Sequence, residues 1–143
     1  NMLPEVKPLV TAMSRVMSLV DPEKKMAKSL GEKHCIGIDD SQEQIIENVK
    51  KAVTTENGIQ NLKRIYDSFK SDMTGPFLVQ KMGDTKMIIA EGVYKHFSAF
   101  RERKLELLKD PDYINQVLID GQKKAKLIAD KNIAEIKAII GLV

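Results

Sequence analysis

Ser41-Gln42-Glu43-Gln44-Ile45-Ile46-Glu47-Asn48-Val49-Lys50-Lys51-Ala52-Val53 decides how this chain folds. Ser41 with Gln44 three residues on is a capping box, and Ile45, Ile46, Val49, Ala52 and Val53 follow at helical spacing. A helix that starts here sets the pattern for everything downstream. Asn57-Gly58 reads as its break. Ile59, Leu62, Ile65, Tyr66 and Phe69 form a second amphipathic stripe. Gly75-Pro76 breaks the chain again. Asp84 is placed to cap a long helix with Met87, Val93, Phe97 and Phe100 on its apolar side. Asp110-Pro111 ends that helix and suits the first turn of a short one through Leu118. Gly121 then precedes a last helix, with Ala125, Ala129, Ile133, Ile136 and Ile140 on one stripe, stopping near Gly141. Residues 41–143 therefore read as about five helices in a bundle.

Upstream the pattern changes. Arg15-Val16-Met17-Ser18-Leu19-Val20 is a short apolar run closed by Asp21-Pro22, which favours a strand and a turn. Residues 24–33 are polar and lysine-rich, hence a loop. Cys35-Ile36-Gly37-Ile38 is a second strand candidate. Two short strands do not make a stable sheet. The expectation is a chain that forms the C-terminal piece of something larger, divided into residues 1–40 and a helical domain, 41–143.

With 143 residues, 43% hydrophobic and 30% charged, a packed core is within reach and general disorder is not expected. No apolar run approaches the roughly 18 residues of a membrane span. One cysteine, Cys35, excludes an internal disulfide and suits a reducing cytoplasm. Two histidines, His34 and His96, and that cysteine are too few for a typical zinc site, and neighbours such as His34 and Cys35 point to opposite faces of a strand. No metal site is expected. Aromatics at 5% with no Trp argue against a base-stacking platform. The net charge of +3 lies wholly in residues 81–143, with twelve basic and nine acidic side chains. That bias suits a polyanion partner as well as it suits a solvated helix edge.

The chemistry-bearing stretch is Asp21-Pro22-Glu23-Lys24-Lys25-Met26-Ala27-Lys28-Ser29. Two lysines three positions apart on a loop at a strand end, Lys25 and Lys28, can meet one polyphosphate, because each ammonium is a compact, mobile charge with three donors. Ser29 adds a hydroxyl. Taken alone, the same residues describe a solvated loop.

Their surroundings add more. The run Arg15-Val16-Met17-Ser18-Leu19, then Asp21-Pro22, then Lys24-Lys25-Met26-Ala27-Lys28-Ser29 closely resembles the strand–turn–loop element of tryptophanyl-tRNA synthetases, whose signature reads Lys-Met-Ser-Lys-Ser. Ile59-Gln60-Asn61-Leu62 with Ile65-Tyr66, Gly83-Asp84-Thr85-Lys86, and Gly121-Gln122-Lys123-Lys124-Ala125-Lys126-Leu127-Ile128-Ala129 are similar to family segments in the same order. The resemblance spans about residues 8–142. It implies a mainly α chain: a helical bundle preceded by a short strand–loop–strand remnant of a Rossmann-type catalytic domain. It implies the activity of a tryptophan–tRNA ligase in the cytoplasm, with ATP, magnesium carried on ATP, tryptophan and the tryptophan tRNA as partners, and a homodimeric parent. No membrane is implied.

Position by position, the resemblance implies that Lys25 and Lys28 contact the ATP phosphates and stabilise the leaving pyrophosphate. It implies that Val16 and Met26 hold the adenine largely through backbone groups, and that Ala27 and Ser29 belong to the nucleotide-binding loop. Ala27 departs from the family, which usually has serine there. The family's His-x-Gly-His-like element is absent, since neither His34 nor His96 sits in such a setting, so the chain alone is expected to be inactive. Lys123, Lys126 and Lys137 on one edge of the last helix, and Lys124 and Lys131 on the other, are candidates for tRNA phosphates. Arg101, Arg103 and Lys104 form a smaller basic group. Gly121 and Ala125 suggest close helix packing, Met82 and Met87 core filling, and Asp39 and Asp40 turn and helix-start roles. Lys86 reads equally as a tRNA contact or as part of a helix start. Two other classes stay open on the residues: a non-catalytic helical RNA- or protein-binding module, and a structural bundle with an incidental lysine loop.

Overall fold

The computed structural model describes residues 5–10 and 15–142. Among the described residues, five α-helices follow an irregular stretch: α1 (Gln42–Lys51), α2 (Glu56–Ser68), α3 (Met82–His96), α4 (Ser98–Leu107) and α5 (Pro111–Ile139). The expected mainly α class is what is found. The chain divides into two compact units, Asn1–Arg101 and Glu102–Val143.

The core of the first unit is shared by α1, α2 and α3. Ile45 and Val49 of α1, Leu62 and Ile65 of α2, and Ile89, Ala90 and Val93 of α3 are buried together. Leu19, 1% exposed, joins them from the irregular stretch. Burying a leucine this completely contributes about 1.5–3 kcal/mol, so Leu19 ties the lysine-bearing stretch to the helices. Met82 packs against this core from its edge, as expected of a gap-filling methionine.

The two expected strands are absent as strands among the described residues. Only an isolated antiparallel bridge joins Met17 and Lys25. The residues 16–18 are extended, but they meet one short partner on one edge and a side chain on the other, so no ladder propagates. Cys35 is extended, after two single 3₁₀ turns, Lys28–Leu30 and Glu32–His34, but no ladder forms and Ile38 already lies in a turn closed by the Asp40 N–H on the Gly37 carbonyl.

Helix α1 starts as read: Ser41 accepts from the Gln44 N–H at 3.2 Å. The next break lies earlier than Asn57-Gly58. α1 ends at Lys51, Thr55 caps α2 by accepting from the Gly58 N–H at 3.3 Å, and Asn57 and Gly58 lie in the first turn of α2. Glycine is required there by space, because a Cβ at Gly58 would lie 2.2 Å from the Val53 carbonyl oxygen. Lys86 explains how α1 stops. Its ammonium donates to the carbonyls of Lys50 and Ala52 at 2.9 and 2.6 Å, satisfying orphan acceptors at the negative end of the helix. Burial holds its pKa below the ordinary lysine value. Lys86 is therefore a helix-end cap.

The long helix expected from Asp84 begins at Met82, with Asp84 in its first turn, and is interrupted at Phe97. At that break the Arg101 guanidinium donates to the Tyr94 carbonyl and lies 3.8 Å over the Tyr94 ring, and it also reaches the Ile38 carbonyl at 3.4 Å. This occupies one member of the Arg101-Arg103-Lys104 group in structure, while Arg103 pairs with Glu106 at 3.0 Å.

The second unit corrects another expectation. No break occurs at Gly121, and α5 is one helix of 29 residues. An interior glycine costs only about 1 kcal/mol relative to alanine, and the Asp110 side chain, Pro111 at the first turn, and pairs such as Gln116 with Asp120 and Lys126 with Asp130 favour continuity. A Cβ at Gly121 would meet nothing within 4 Å, so the close packing expected of Gly121 and Ala125 is not seen among the described residues. The helix ends as read. Gly141 takes φ 73°, with the Gly141 N–H bonded to the Ala138 carbonyl and the Leu142 N–H to the Lys137 carbonyl, a Schellman ending.

Candidate functional site: the lysine loop

The site is built from three short pieces of chain that hold one another. Residues 16–18 run antiparallel to 24–26: the Met26 N–H donates to the Val16 carbonyl at 2.9 Å and the Ser18 N–H to the Lys24 carbonyl at 2.8 Å. The far end of the loop returns to the same segment, since the Leu19 N–H donates to the His34 carbonyl at 3.1 Å. The Val53 N–H then donates to the Leu19 carbonyl at 2.8 Å, joining this base to the end of α1. Residues 27–33 thus form a loop whose two ends are fastened and whose crest is exposed.

The turn before the loop is closed by Ser18. Its Oγ accepts from the N–H groups of Val20 and Asp21 at 3.3 and 3.0 Å. With both lone pairs used, the hydroxyl hydrogen points at His34 Nδ1, 2.8 Å away, and this assigns the ring as the Nε2–H tautomer. His34 is a structural partner of Ser18, and no group of three or more His, Cys, Asp or Glu side chains among the described residues is placed to hold a metal. Cys35 is buried and free, its thiol pushed up chiefly by burial, which makes it an inert core group. The Asp40 carboxylate accepts from the Gly37 N–H at 2.7 Å, the turn role expected of it.

The lysines separate by partner. Lys24 is paired with Asp21 at 2.9 Å, which raises the lysine's pKa and lowers that of the carboxyl, the hydrogen bond between them being the main cause in both. Lys25 and Lys28 are exposed and form no ion pair among the described residues. Lys25 stands across the bridge from Met17. Lys28 opens the first 3₁₀ turn and borders a cleft of about 590 Å³ with Glu32, Cys35, Asp40, Ser41 and Gln44. That cleft mixes one ammonium with two carboxylates, and Lys25 does not line it. Ser29 is exposed on the same turn.

Val16 and Met26 lie below the crest. Their side chains border an apolar cleft of about 140 Å³ with Ile36, Ile65, Phe69 and Val93. Because the Met26 N–H is bonded to the Val16 carbonyl, these two backbone groups face each other and not a ligand. Ala27 is the N-cap of the Lys28–Leu30 turn, extended at φ −153°, ψ 138°, with no side-chain cap bond. The place where the family has serine is thus a capping position. Ala27→Ser is expected to stabilise the loop by about 0.5–1 kcal/mol, measurable as slower hydrogen exchange of the Ser29 and Leu30 amides; an unchanged exchange rate would show that the position does not cap.

Two residues bonded to the ends of the loop were not legible in the sequence as such, Asn48 and Asn61, both 2% exposed. The signal was present: each is a polar residue inside an apolar stripe, beside Val49 and Leu62. On α5, Lys123, Lys126 and Lys131 pair along the helix with Asp120, Asp130 and Glu135, at 3.6, 2.9 and 4.0 Å, whereas Lys124 and Lys137 have no such pair among the described residues.

The chain is similar to proteins of known family. The family model described as "tRNA synthetases class I (W and Y)" matches residues 2–109. The tryptophan–tRNA ligase of Wolinella succinogenes is 34% identical over 153 residues, covering 96% of this chain and 47% of its own length. The mitochondrial tryptophan–tRNA ligase of Caenorhabditis elegans is 34% identical over 142 residues, covering 90% of this chain and 39% of its own. The crystal structure of tryptophanyl-tRNA synthetase from Mycoplasma pneumoniae shares the fold with a TM-score of 0.69 at 21% identity, over 91% of this chain and 44% of that one. This chain therefore spans less than half the length of each of these proteins. With three quarters of its residues matched by the family model, the chain belongs to the class I tRNA synthetases of the tryptophan and tyrosine group.

Proposed function

We propose that this chain is the part of a tryptophan–tRNA ligase that carries the lysine loop, and that Lys25 and Lys28 stabilise the pyrophosphate leaving ATP. The observation that carries the reading is the division among the three lysines: Lys24 is held by Asp21, while Lys25 at the base of the loop and Lys28 on its crest form no ion pair among the described residues. The names of the relatives support tryptophan as the amino acid.

In the first step a carboxylate oxygen of tryptophan attacks the α-phosphorus of ATP. The bond from that phosphorus to the β-bridging oxygen breaks, and pyrophosphate departs with the electron pair, leaving tryptophanyl-adenylate. Negative charge grows on the departing group. Two cations that meet this charge as it grows lower the barrier more than they tighten ATP binding. A loop fastened at its ends and free at its crest can deliver Lys28 on closure to the charge that Lys25 meets from the base. Val16 and Met26 hold the adenine through groups other than the Met26 N–H and the Val16 carbonyl, which bond each other, and Ala27 and Ser29 complete the phosphate side. Magnesium travels with ATP as part of the substrate. In the second step a ribose hydroxyl of the tryptophan tRNA attacks the adenylate carbonyl and AMP leaves. Residues 41–143 serve the tRNA, with Lys124 and Lys137 the most available phosphate contacts. The parent is a cytoplasmic homodimer, and residues 1–40 belong to its catalytic domain.

The test is tryptophan-dependent ATP–pyrophosphate exchange by the complete protein that carries this chain. Exchange with tryptophan and not with tyrosine is the expected result. Absence of exchange with every amino acid, together with salt-sensitive tRNA binding, would favour the non-catalytic RNA-binding module.

A further inference from the structure

We propose that Asn61, seconded by Asn48, is a positioning residue of the lysine loop: two buried side-chain amides on neighbouring helices clamp the two ends of the loop and so fix where Lys25 and Lys28 stand. The proposal rests on the reading of that loop as the pyrophosphate-stabilising element.

The argument starts from residues 16–18, which are extended but lack a sheet. In an extended chain, successive residues turn their N–H and C=O groups to opposite edges. Val16 and Ser18 turn theirs to the loop, at Met26 and Lys24. Met17 turns its own to the other edge, and there the Asn61 amide stands in for a strand. Asn61 Oδ1 accepts from the Met17 N–H at 3.0 Å, and Nδ2 donates to the Met17 carbonyl at 2.8 Å and to the Ser18 carbonyl at 3.4 Å. Met17 is the residue bridged to Lys25. The line from α2 to the first lysine is therefore one side-chain amide and one backbone pair.

Asn48 does the same at the other end. Its Nδ2 donates to the carbonyls of Glu32 and Cys35 at 3.1 and 3.2 Å, and its Oδ1 accepts from Gln44 Nε2 at 3.0 Å. Glu32 begins the turn that follows the Lys28–Leu30 turn after Gly31. Each asparagine thus uses both its acceptor and its donors, and no buried side-chain polar atom among the described residues is left unpaired. A purely apolar side chain at either position would bury carbonyls with no donor. Aspartate would keep an acceptor and lose the donors.

A buried amide that only maintained the fold would not discriminate between reaction steps. A positioning residue would act through the lysines. The experiment is a double-mutant cycle in the complete ligase, combining Asn61→Ala with Lys25→Ala and measuring single-turnover tryptophan activation. Asn61→Ala is expected to lower the activation rate about tenfold, since a displacement near 1 Å at a reacting group costs up to about a hundredfold. In the Lys25→Ala background the same substitution is expected to cost less than about twofold, with KM for tryptophan unchanged in both. An equal loss in both backgrounds, or a matching rise in KM for tryptophan, would make Asn61 a structural residue and overturn the proposal. So would a folded Asn61→Ala enzyme with the full activation rate. If Asn61→Ala does not fold, Asn61→Asp carries the same cycle, with a smaller loss that again disappears without Lys25; a loss that persists overturns it. Lys25→Ala measured alone reports on the loop reading, so a full rate in that single variant identifies failure of the reading and not of the clamp.

Discussion

Lys28→Ala in the complete ligase is expected to slow tryptophan activation by about a hundredfold to a thousandfold, the range seen when one preorganised donor to developing charge is removed. KM for tryptophan is expected to change by less than about twofold, because Lys28 serves the leaving group and interactions formed only in the transition state act on the rate. Lys25→Ala is expected to behave in the same way, and the double variant to lose less than the product of the two, since both ammonium groups serve one charge. Lys24→Ala is the contrast. Its ammonium is already held by Asp21, so the activation rate should stay within about threefold, because a solvent-exposed ion pair contributes little. The check is rapid-quench measurement of adenylate formation. A Lys28→Ala enzyme whose loss lies wholly in KM for tryptophan would contradict the role.

The second large effect concerns stability. Gly58→Ala is expected to destabilise the first unit by about 3 kcal/mol or more, at the severe end for a single substitution. The added Cβ would stand 2.2 Å from the Val53 carbonyl oxygen and 3.0 Å from Val53 Cγ2. Backbone cannot yield there cheaply, because the Val53 N–H is bonded to Leu19 and Leu19 is in the core. Urea denaturation of the isolated chain reads this as a lower midpoint with an unchanged slope. Gly121→Ala is the matching control: it meets no atom within 4 Å and should leave stability unchanged or raise it by up to about 1 kcal/mol. A midpoint for Gly58→Ala equal to that of the parent would mean that the α1–α2 connection is not packed as described.

Much of the first unit could be read from residues alone where one local signal decided. Ser41 with Gln44 marked the start of α1, and the stripes of α1 and α2 supplied the core. Gly141 ended α5 as glycine at a positive φ does. The boundaries that were misread were decided by contacts distant in sequence. Gly58 reads as a breaker, yet it sits inside a helix because Val53 comes too close for any larger residue. Lys86 reads equally as a tRNA contact or as part of a helix start, yet it closes α1 from 34 residues away. The run from Arg15 to Val20 reads as a strand, but only residues 16–18 pair with the loop, Leu19 and Val20 bend away, and the second edge is bonded by the Asn61 amide, which no periodicity reveals. The lysine loop was legible as a pattern; spacing does not tell that Asp21 turns to Lys24 and that Lys25 and Lys28 have no ion pair among the described residues. Ala27 shows the limit of residue-by-residue comparison. It reads as a lost hydroxyl, whereas the structure identifies the lost hydroxyl as a helix-turn cap.

The most direct test of the account is a crystal structure of the complete ligase with ATP, magnesium and a tryptophan analogue that cannot react. The account predicts both the Lys25 and Lys28 ammonium nitrogens at about 2.7–3.0 Å from oxygens of the β- and γ-phosphates, with Asn61 still bonded to Met17. Both ammonium groups pointing into solvent, with the phosphates held by other residues, would contradict it.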